Sequence, residues 1–526
     1  MEPLLVPSLK IFLSLIVLIL FTCFIYLYRI LVLNPKTLRS KLLKQGINGP
    51  APSSFIYGNV PDMKRIQSTA VKIPIDKRSV KEDHISSLFP YFEQWRNEYG
   101  PVFTYSTGNA QMLYITQPEL VKEINLWTSM SLGKPSHIQR DRGALFGKGV
   151  IGANGSLWAQ QRKIIAPEFY MEKVKGMMNL MLDSATLVMR KWEGEVQNGG
   201  GTADIRVDLD LRSFSADVIS KACFGSSYNK GKDIFAKIRA LQEIMAKQGL
   251  FIGIPGSSYL PTTNNKKIWR LEKEVSRLIL KVVKERREAK TEMDLLQMLL
   301  EGANNESLRL QSTNQFIVDN CKNIYFAGFE TTATTASWIL MLLATHPEWQ
   351  TRVRREVSEI CECSLPDFNM LRKMELLTMV IQEALRLYPP AMFVSREAFK
   401  DVTIGDIHVP KGVAVWLPVG TLHRDPKLWG PDACDFNPDR WSQGTAGACT
   451  VPQVYIPFGV GPRICLGQNF AMAELKIILS LILSKFSFSL SPKYRHSPVV
   501  KLTLEPEYGV DLIGPTERSE GGPYIW

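Results

Sequence analysis

The chain has 526 residues, 45% of them apolar, and carries a formal charge of +12. It is long enough for one large core or several ordinary ones, and its charge suits nucleic acid, an anionic membrane or an acidic protein partner. The absence of zinc-finger spacing and of an RNA-binding aromatic signature speaks against nucleic acid, and eight cysteines scattered from 23 to 465 read as reduced thiols, not a disulfide framework.

In chain order, residues 11–28 form an uncharged run that would rise roughly 27 Å as a helix, close to the hydrocarbon thickness of a bilayer. The run ends in Tyr26, Tyr28 and Arg29 without the small residues of a cleavage site, so it reads as an anchor and not a signal peptide. Arg29, Lys36, Arg39, Lys41 and Lys44 follow it, which leaves the rest of the chain in the cytosol. The sequons at Asn154 and Asn305 should therefore stay unglycosylated. Residues 46–52 hold two glycines and two prolines and read as a stiff hinge. The organisation expected is an anchor at 1–33, a basic and proline-rich hinge at 34–60, one large domain at 61–515 and a tail at 516–526.

Beyond the hinge, residues 72–87 read as an exposed loop. Helical spacing dominates 88–385, for example at 271–287 and 316–343, while short strand-like runs occur at 103–107, 113–116 and 413–419. Pro347 marks a helix start and closes the preceding helix near Ala344. The fold class expected is mainly α with small β-sheets. The triplet Gly199, Gly200, Gly201 follows no buried strand and reads as a loop, and no Rossmann or phosphate-binding loop is present. Cys361 and Cys363 are too closely spaced for the usual metal or redox pairs.

Several local patterns carry chemistry. Trp158 and Arg162 stand at i and i+4 on one helical face, a spacing that also describes an ordinary surface cation-π pair. Within the apolar run 316–343, Gly328, Glu330, Thr331 and Thr332 are all locally unfavourable, which marks either a functional site or a kinked helix whose threonines bond back to carbonyls. Glu383 and Arg386 are three apart amid apolar neighbours, so their pairing reads as buried, not solvated. Finally Cys465 is wrapped in Gly459, Gly461 and Gly467, with Phe458 before it and Arg463 two positions ahead. Glycines let the backbone aim N–H groups at a thiolate. The same pattern arises by chance on the order of once per 10⁵ chains of this length.

Phe458-Gly-x-Gly-x-Arg-x-Cys465-x-Gly467 resembles the haem-binding signature of the cytochrome P450 superfamily. The resemblance implies a single P450-fold domain behind the anchor, with haem b held by Cys465 as axial iron ligand. It further implies that Arg463, Arg162 and Arg396 contact the propionates, that Trp158, Phe458, Gly461 and Gly467 shape the haem site, and that Gly328 makes room beside it. By the same resemblance Glu330 and Thr331 relay protons during dioxygen activation, and Glu383, Arg386 and Arg440 form a buried scaffold network. His423 is read as a satisfied structural histidine.

The implied activity is a monooxygenase of the endoplasmic reticulum membrane that draws electrons from NADPH through a separate reductase, since the chain has no nicotinamide or flavin motif. Lys148, Lys163, Lys427 and Arg495 are candidates to face that reductase. The runs 89–95, 222–225 and 318–328 resemble plant clan 72, especially its gibberellin-oxidising 714 branch. By that analogy residues 131–146, 245–260, 316–324 and 391–394 line a pocket for a bulky isoprenoid, a gibberellin-type diterpenoid or a triterpenoid. Cytokinin hydroxylation, a haem-thiolate isomerase or dehydratase that does not use dioxygen, and a scaffold that has lost catalysis are the alternatives.

Overall fold

The computed structural model describes residues 5–70, 83–127, 129–225, 228–247, 256–289, 294–303, 312–362 and 364–515. Residues 72–82 of the expected exposed loop, residues 248–255 of one pocket stretch, the sequon at 305–307, Cys363 and the tail 516–526 lie outside the described residues.

The first helix, α1 (Leu5–Tyr28), runs through a π-helical turn, Arg29–Leu33, into a further helix, Asn34–Leu43. Over Lys10–Leu43 this is one helix, apolar and long enough to cross a membrane, and its most apolar window is entirely exposed. It fits a membrane anchor. The first part of the hinge is thus helical, with Pro35 in the first turn where a missing N–H costs nothing. Arg39 donates to the Gly49 carbonyl at 2.8 Å, and Gln45 exchanges two bonds with the His408 backbone at 2.8 and 2.9 Å. These contacts fasten the segment after the anchor to the catalytic body.

Five strands form one mixed sheet. These are β1 (Val102–Thr107), β2 (Ala110–Ile115), β3 (Leu132–Gly133), β4 (Phe393–Ala398) and β5 (Ala414–Pro418), in the order β1-β2-β5-β4-β3. Only β2 and β5 run parallel. The three strand-like runs of the sequence all fall in this sheet, which buries them almost completely. A separate three-stranded sheet places Asp511–Pro515 between Thr202–Arg206 and Ser489–Leu490.

The helices that position the site are α2 (Gly155–Ile165), α3 (Val207–Phe224), α4 (Tyr228–Lys247), α5 (Thr313–Thr345), α6 (Glu375–Leu387) and α7 (Gln468–Lys485). The Ser312 hydroxyl starts α5 by accepting from the Gln315 N–H, and Pro347 opens the next helix just beyond its end. Nearly every residue from Phe316 to Leu343 is buried, so α5 runs through the core, where an all-round apolar helix belongs. Gly328 sits where α3 crosses it. A Cβ there would lie 2.6 Å from Ile219 Cγ1, so this glycine serves the close approach of two helices. It also lines the cavity described below, so the close helix crossing comes in addition to the room expected beside the haem.

Candidate active site

A cavity of about 380 Å³ lies between α5 and the loop that precedes α7. Pro457, Phe458, Cys465 and Gly467 line one side, Ala327, Gly328, Thr331 and Thr335 another, with Leu385, Ala391, Phe393 and Val394 near β4. Its wall is predominantly apolar.

The cysteine loop is shaped by its own backbone. Gly459 and Gly461 have φ of +75° and +61°, a region that side chains strain to enter. Cys465 N–H donates to the Phe458 carbonyl at 2.8 Å, closing the turn. Gly461 does not line the cavity, and a Cβ there would crowd the Asn125 carbonyl at 3.1 Å. It therefore shapes the loop from outside the cavity lining. Gly467 is the opposite case. Its φ is −89°, and an added Cβ would find only Phe169, at 3.9 Å. Neither backbone nor packing forbids a side chain there, so the space that it leaves open on the cavity wall suits a flat group lying against the loop. Cys465 is exposed on that wall. Although its surface opens on the cavity, desolvation by the protein around it pushes the thiol above the usual range, while a Gly467 N–H bond and the Arg162 charge favour the thiolate.

Cations gather on the cavity rim. Arg162, Arg396 and Arg463 all line it, together with Lys134, which the sequence reading passed over. None of the four pairs with a carboxylate among the described residues. Arg162 donates to the Ile464 carbonyl at 3.0 Å, Arg396 to Ser395 and Val460, and Arg463 to the Ala153 carbonyl and Asn154 Oδ1. Desolvation, with the neighbouring Arg396 and Arg162 charges, lowers Arg463 to about 9; desolvation alone takes Arg396 to about 10. Burial beside Arg396 and Arg463 takes Lys134 down to about 7. Positive groups desolvated in this way call for an anionic partner. A flat group with two carboxylates, a thiolate-bound metal and an apolar perimeter fits this set of residues, and haem b is such a group.

Trp158 packs under Arg463, with the guanidinium carbon 4.4 Å from the ring centre, closer than the 5.8 Å to Arg162. The i, i+4 pair is real, but the indole holds the cysteine-loop arginine more tightly. Asn154 bonds both backbone groups of Lys134 as well as Arg463. Its amide is thus fully engaged in the fold.

Glu330 and Thr331 part company. Thr331 lines the cavity and its hydroxyl donates back to the Ala327 carbonyl at 2.7 Å. Glu330, one residue earlier and roughly 100° round the helix, is fully buried on another face. There its Oε1 accepts from Arg239 at 2.8 Å and Arg212 at 3.4 Å, and both arginines also bind Glu505. The acid and the alcohol are neighbours in sequence but do not meet in the cavity. Burial pushes the Glu330 carboxyl up against the pull of the two arginines.

A second buried acid escaped sequence reading. Glu474 on α7 is fully buried, accepts from the Ser215 hydroxyl and bonds the Thr332 side chain, and its Oε2 has no partner. Burial raises its carboxyl to about 8. The amphipathic pattern of α7 offers no warning of it, because a lone acid in an apolar helix reads equally well as a surface residue.

Glu383, Arg386 and Arg440 are brought together. Arg386 grips Glu383 with two bonds of 2.7 and 2.8 Å, and Arg440 adds a third at 3.1 Å. The Trp441 indole and the Asn437 N–H complete the coordination of that carboxylate. His423 is satisfied on both ring nitrogens, Nδ1 at the Arg386 carbonyl and Nε2 accepting from Ile456 N–H, and desolvation lowers it to about 3.

Of the four pocket stretches expected, 131–146 contributes Lys134, 316–324 contributes Asn323 and Ile324, and 391–394 contributes Ala391, Phe393 and Val394. Met245, from the fourth, does not line the cavity. Asp319, Asn320 and Asn323 on α5 instead accept from the backbone N–H groups of Lys148, Val150 and Ile151 at 2.8 to 2.9 Å. They clamp the loop that delivers Val150 and Ile151 to the cavity. Lys148, Lys163, Lys427 and Arg495 are all exposed.

Comparison with known proteins bears on the same residues. The family model described as Cytochrome P450 matches residues 81–510. Cytochrome P450 714C2 of Oryza sativa subsp. japonica is 52% identical over 498 residues, covering 93% of this chain and 95% of that protein. Cytochrome P450 714B3 of Zea mays is 49% identical, with 93% and 92% covered, and Cytochrome P450 714A2 of Arabidopsis thaliana 46%, with 97% and 99% covered. The chain belongs to the cytochrome P450 family, as a monooxygenase resembling the 714 branch.

Proposed function

We propose that this chain inserts one oxygen atom from dioxygen into a terpenoid, a gibberellin-type diterpenoid or a triterpenoid, with electrons from NADPH passed through a separate reductase at the endoplasmic reticulum membrane. The observation that carries this reading is the arrangement of one cavity: Cys465 and an unfilled Gly467 on one wall, Thr331 on the facing helix, unpaired cations on the rim and apolar side chains elsewhere.

Cys465 would hold the haem iron, while Arg162, Arg396, Arg463 and Lys134 would balance the propionates. The haem supplies the redox chemistry that activates dioxygen. Thr331 presents a hydroxyl to that cavity and would order proton-bearing solvent there. Glu330 lies one face away, bonded to Arg239 and Arg212, and reaches Thr331 only if its side chain leaves them. The hydroxyl at Thr331 also favours oxygen chemistry over a rearrangement that needs no proton delivery. Ile151, Ile324, Phe393 and Val394 offer a bulky hydrocarbon apolar contact with few polar anchors, so recognition rests on shape.

Microsomes containing the chain and a reductase, fed NADPH, labelled dioxygen and panels of gibberellin precursors and triterpenoids, should yield products heavier by one labelled oxygen in mass spectra. Turnover of neither class, or products without label, would overturn the proposal.

A further inference from the structure

Where the anchor leaves the membrane, a cleft of about 320 Å³ separates the helix from the loop that follows residue 50. We infer that this cleft binds an anionic phospholipid of the membrane that the anchor enters, with its phosphate at Lys36 and Arg39 and an acyl chain against Val32, Pro35 and Phe55.

The chemistry along the cleft is graded. Leu31 and Val32, at its membrane end, are apolar and continue the anchor; Lys36 and Arg39 follow, three residues apart and hence on one helical face. From Val32 to Arg39 the helix rises about 10 Å, comparable with the passage from acyl chain to headgroup in a bilayer. Opposite stand Pro52 and Phe55. Phe55 is 69% exposed and the nearby Tyr57 47%. Uncovered aromatics at this level are at home in the interfacial belt of a membrane.

The cations are available. Lys36 is exposed, with neither a carboxylate nor a hydrogen-bond partner among the described residues. Arg39 donates from one nitrogen to Gly49 and more distantly from another to Thr104, and it keeps further donors for a phosphate. No acid lines the cleft. Two cations over an apolar floor, continuous with a membrane helix, complement a lipid that carries net negative charge better than a zwitterionic one. The bound lipid would brace the anchor against the body beside the Arg39 and Gln45 bonds.

This inference rests on the anchor reading. The test uses the full-length haem-loaded chain in nanodiscs of phosphatidylcholine with a minority of phosphatidylserine, followed by native mass spectrometry. Retention of one phosphatidylserine in preference to phosphatidylcholine is expected. Lys36→Glu should lower that retention about fivefold or more, and Phe55→Ser should lower it too, both with an unchanged carbon monoxide spectrum. Equal retention of the two lipids, or retention untouched by Lys36→Glu, would overturn the site. Vesicle flotation separates the two readings: a chain that fails to float refutes the anchor and the site together, whereas a floating chain without preferential lipid refutes the site alone.

Discussion

Thr331 and Glu330 illustrate what a motif conveys and what it hides. Their adjacency was legible, but the direction of each side chain depends on what packs around α5, and Arg212, Arg239 and Glu505 come from segments far apart in sequence. Thr331→Ala should keep a normal carbon monoxide difference spectrum while NADPH consumption ceases to track product, measured by comparing cofactor oxidation with product yield. Gly328 carries a different prediction. Gly328→Ala forces a Cβ against Ile219, so a loss of about 1–3 kcal/mol in chemical unfolding is expected. Ile219→Ala on top of it should restore part of that loss. Glu474 lends the fold a pH dependence. Its carboxyl sits near 8 when folded against an ordinary 4.5, so the folded state keeps a proton that the unfolded chain releases between those values. That contribution is complete below the lower value and is lost as pH rises through the upper one. Glu474→Gln should thus gain in melting temperature over the parent as pH climbs from about 5 to about 8, checked by thermal unfolding across that range.

At the scale of elements, α5 unites two jobs that the sequence presented as one. Its apolar length announced a buried helix, and Pro347 announced its end, both through rules that need no tertiary information. The stretch 316–324 resembled a substrate wall, yet Asp319, Asn320 and Asn323 spend their polar groups on the backbone of 148–151. A polar side chain on a buried helix reveals that it has a partner but not which one. Removing one clamp, in Asn320→Ala, leaves the Val150 N–H without its acceptor and should cost about 1–3 kcal/mol in unfolding experiments. The product pattern should broaden as Val150 and Ile151 loosen. The pairing of Glu383 with Arg386 was legible because i, i+3 spacing is local, whereas the Trp441 indole that completes it lies 58 residues on and left no mark. The same holds for Lys134, a single lysine among ordinary loop residues until the rim assembles around it.

On the scale of the whole molecule, the long apolar N-terminal helix and the helix-rich body were readable from hydropathy and periodicity, and the five-stranded sheet was readable only as isolated runs. Its order joins strands nearly three hundred residues apart, which no local pattern encodes. A chain lacking residues 1–33 should keep its thiolate-type carbon monoxide spectrum but fail to float with vesicles, because the contacts around Cys465 involve no residue of that segment. The smaller sheet has a consequence in time. Asp511–Pro515 is its middle strand, and it pairs with Thr202–Arg206 across some three hundred intervening residues. During synthesis the earlier strand emerges first and must wait with exposed pairing groups until Asp511–Pro515 has been made. Helices can form as they emerge, but this sheet closes only once its middle strand has emerged. Termination just before residue 511 would therefore leave Thr202–Arg206 an open edge, and such a truncated chain is a substrate for chaperones and proteases rather than a shortened enzyme.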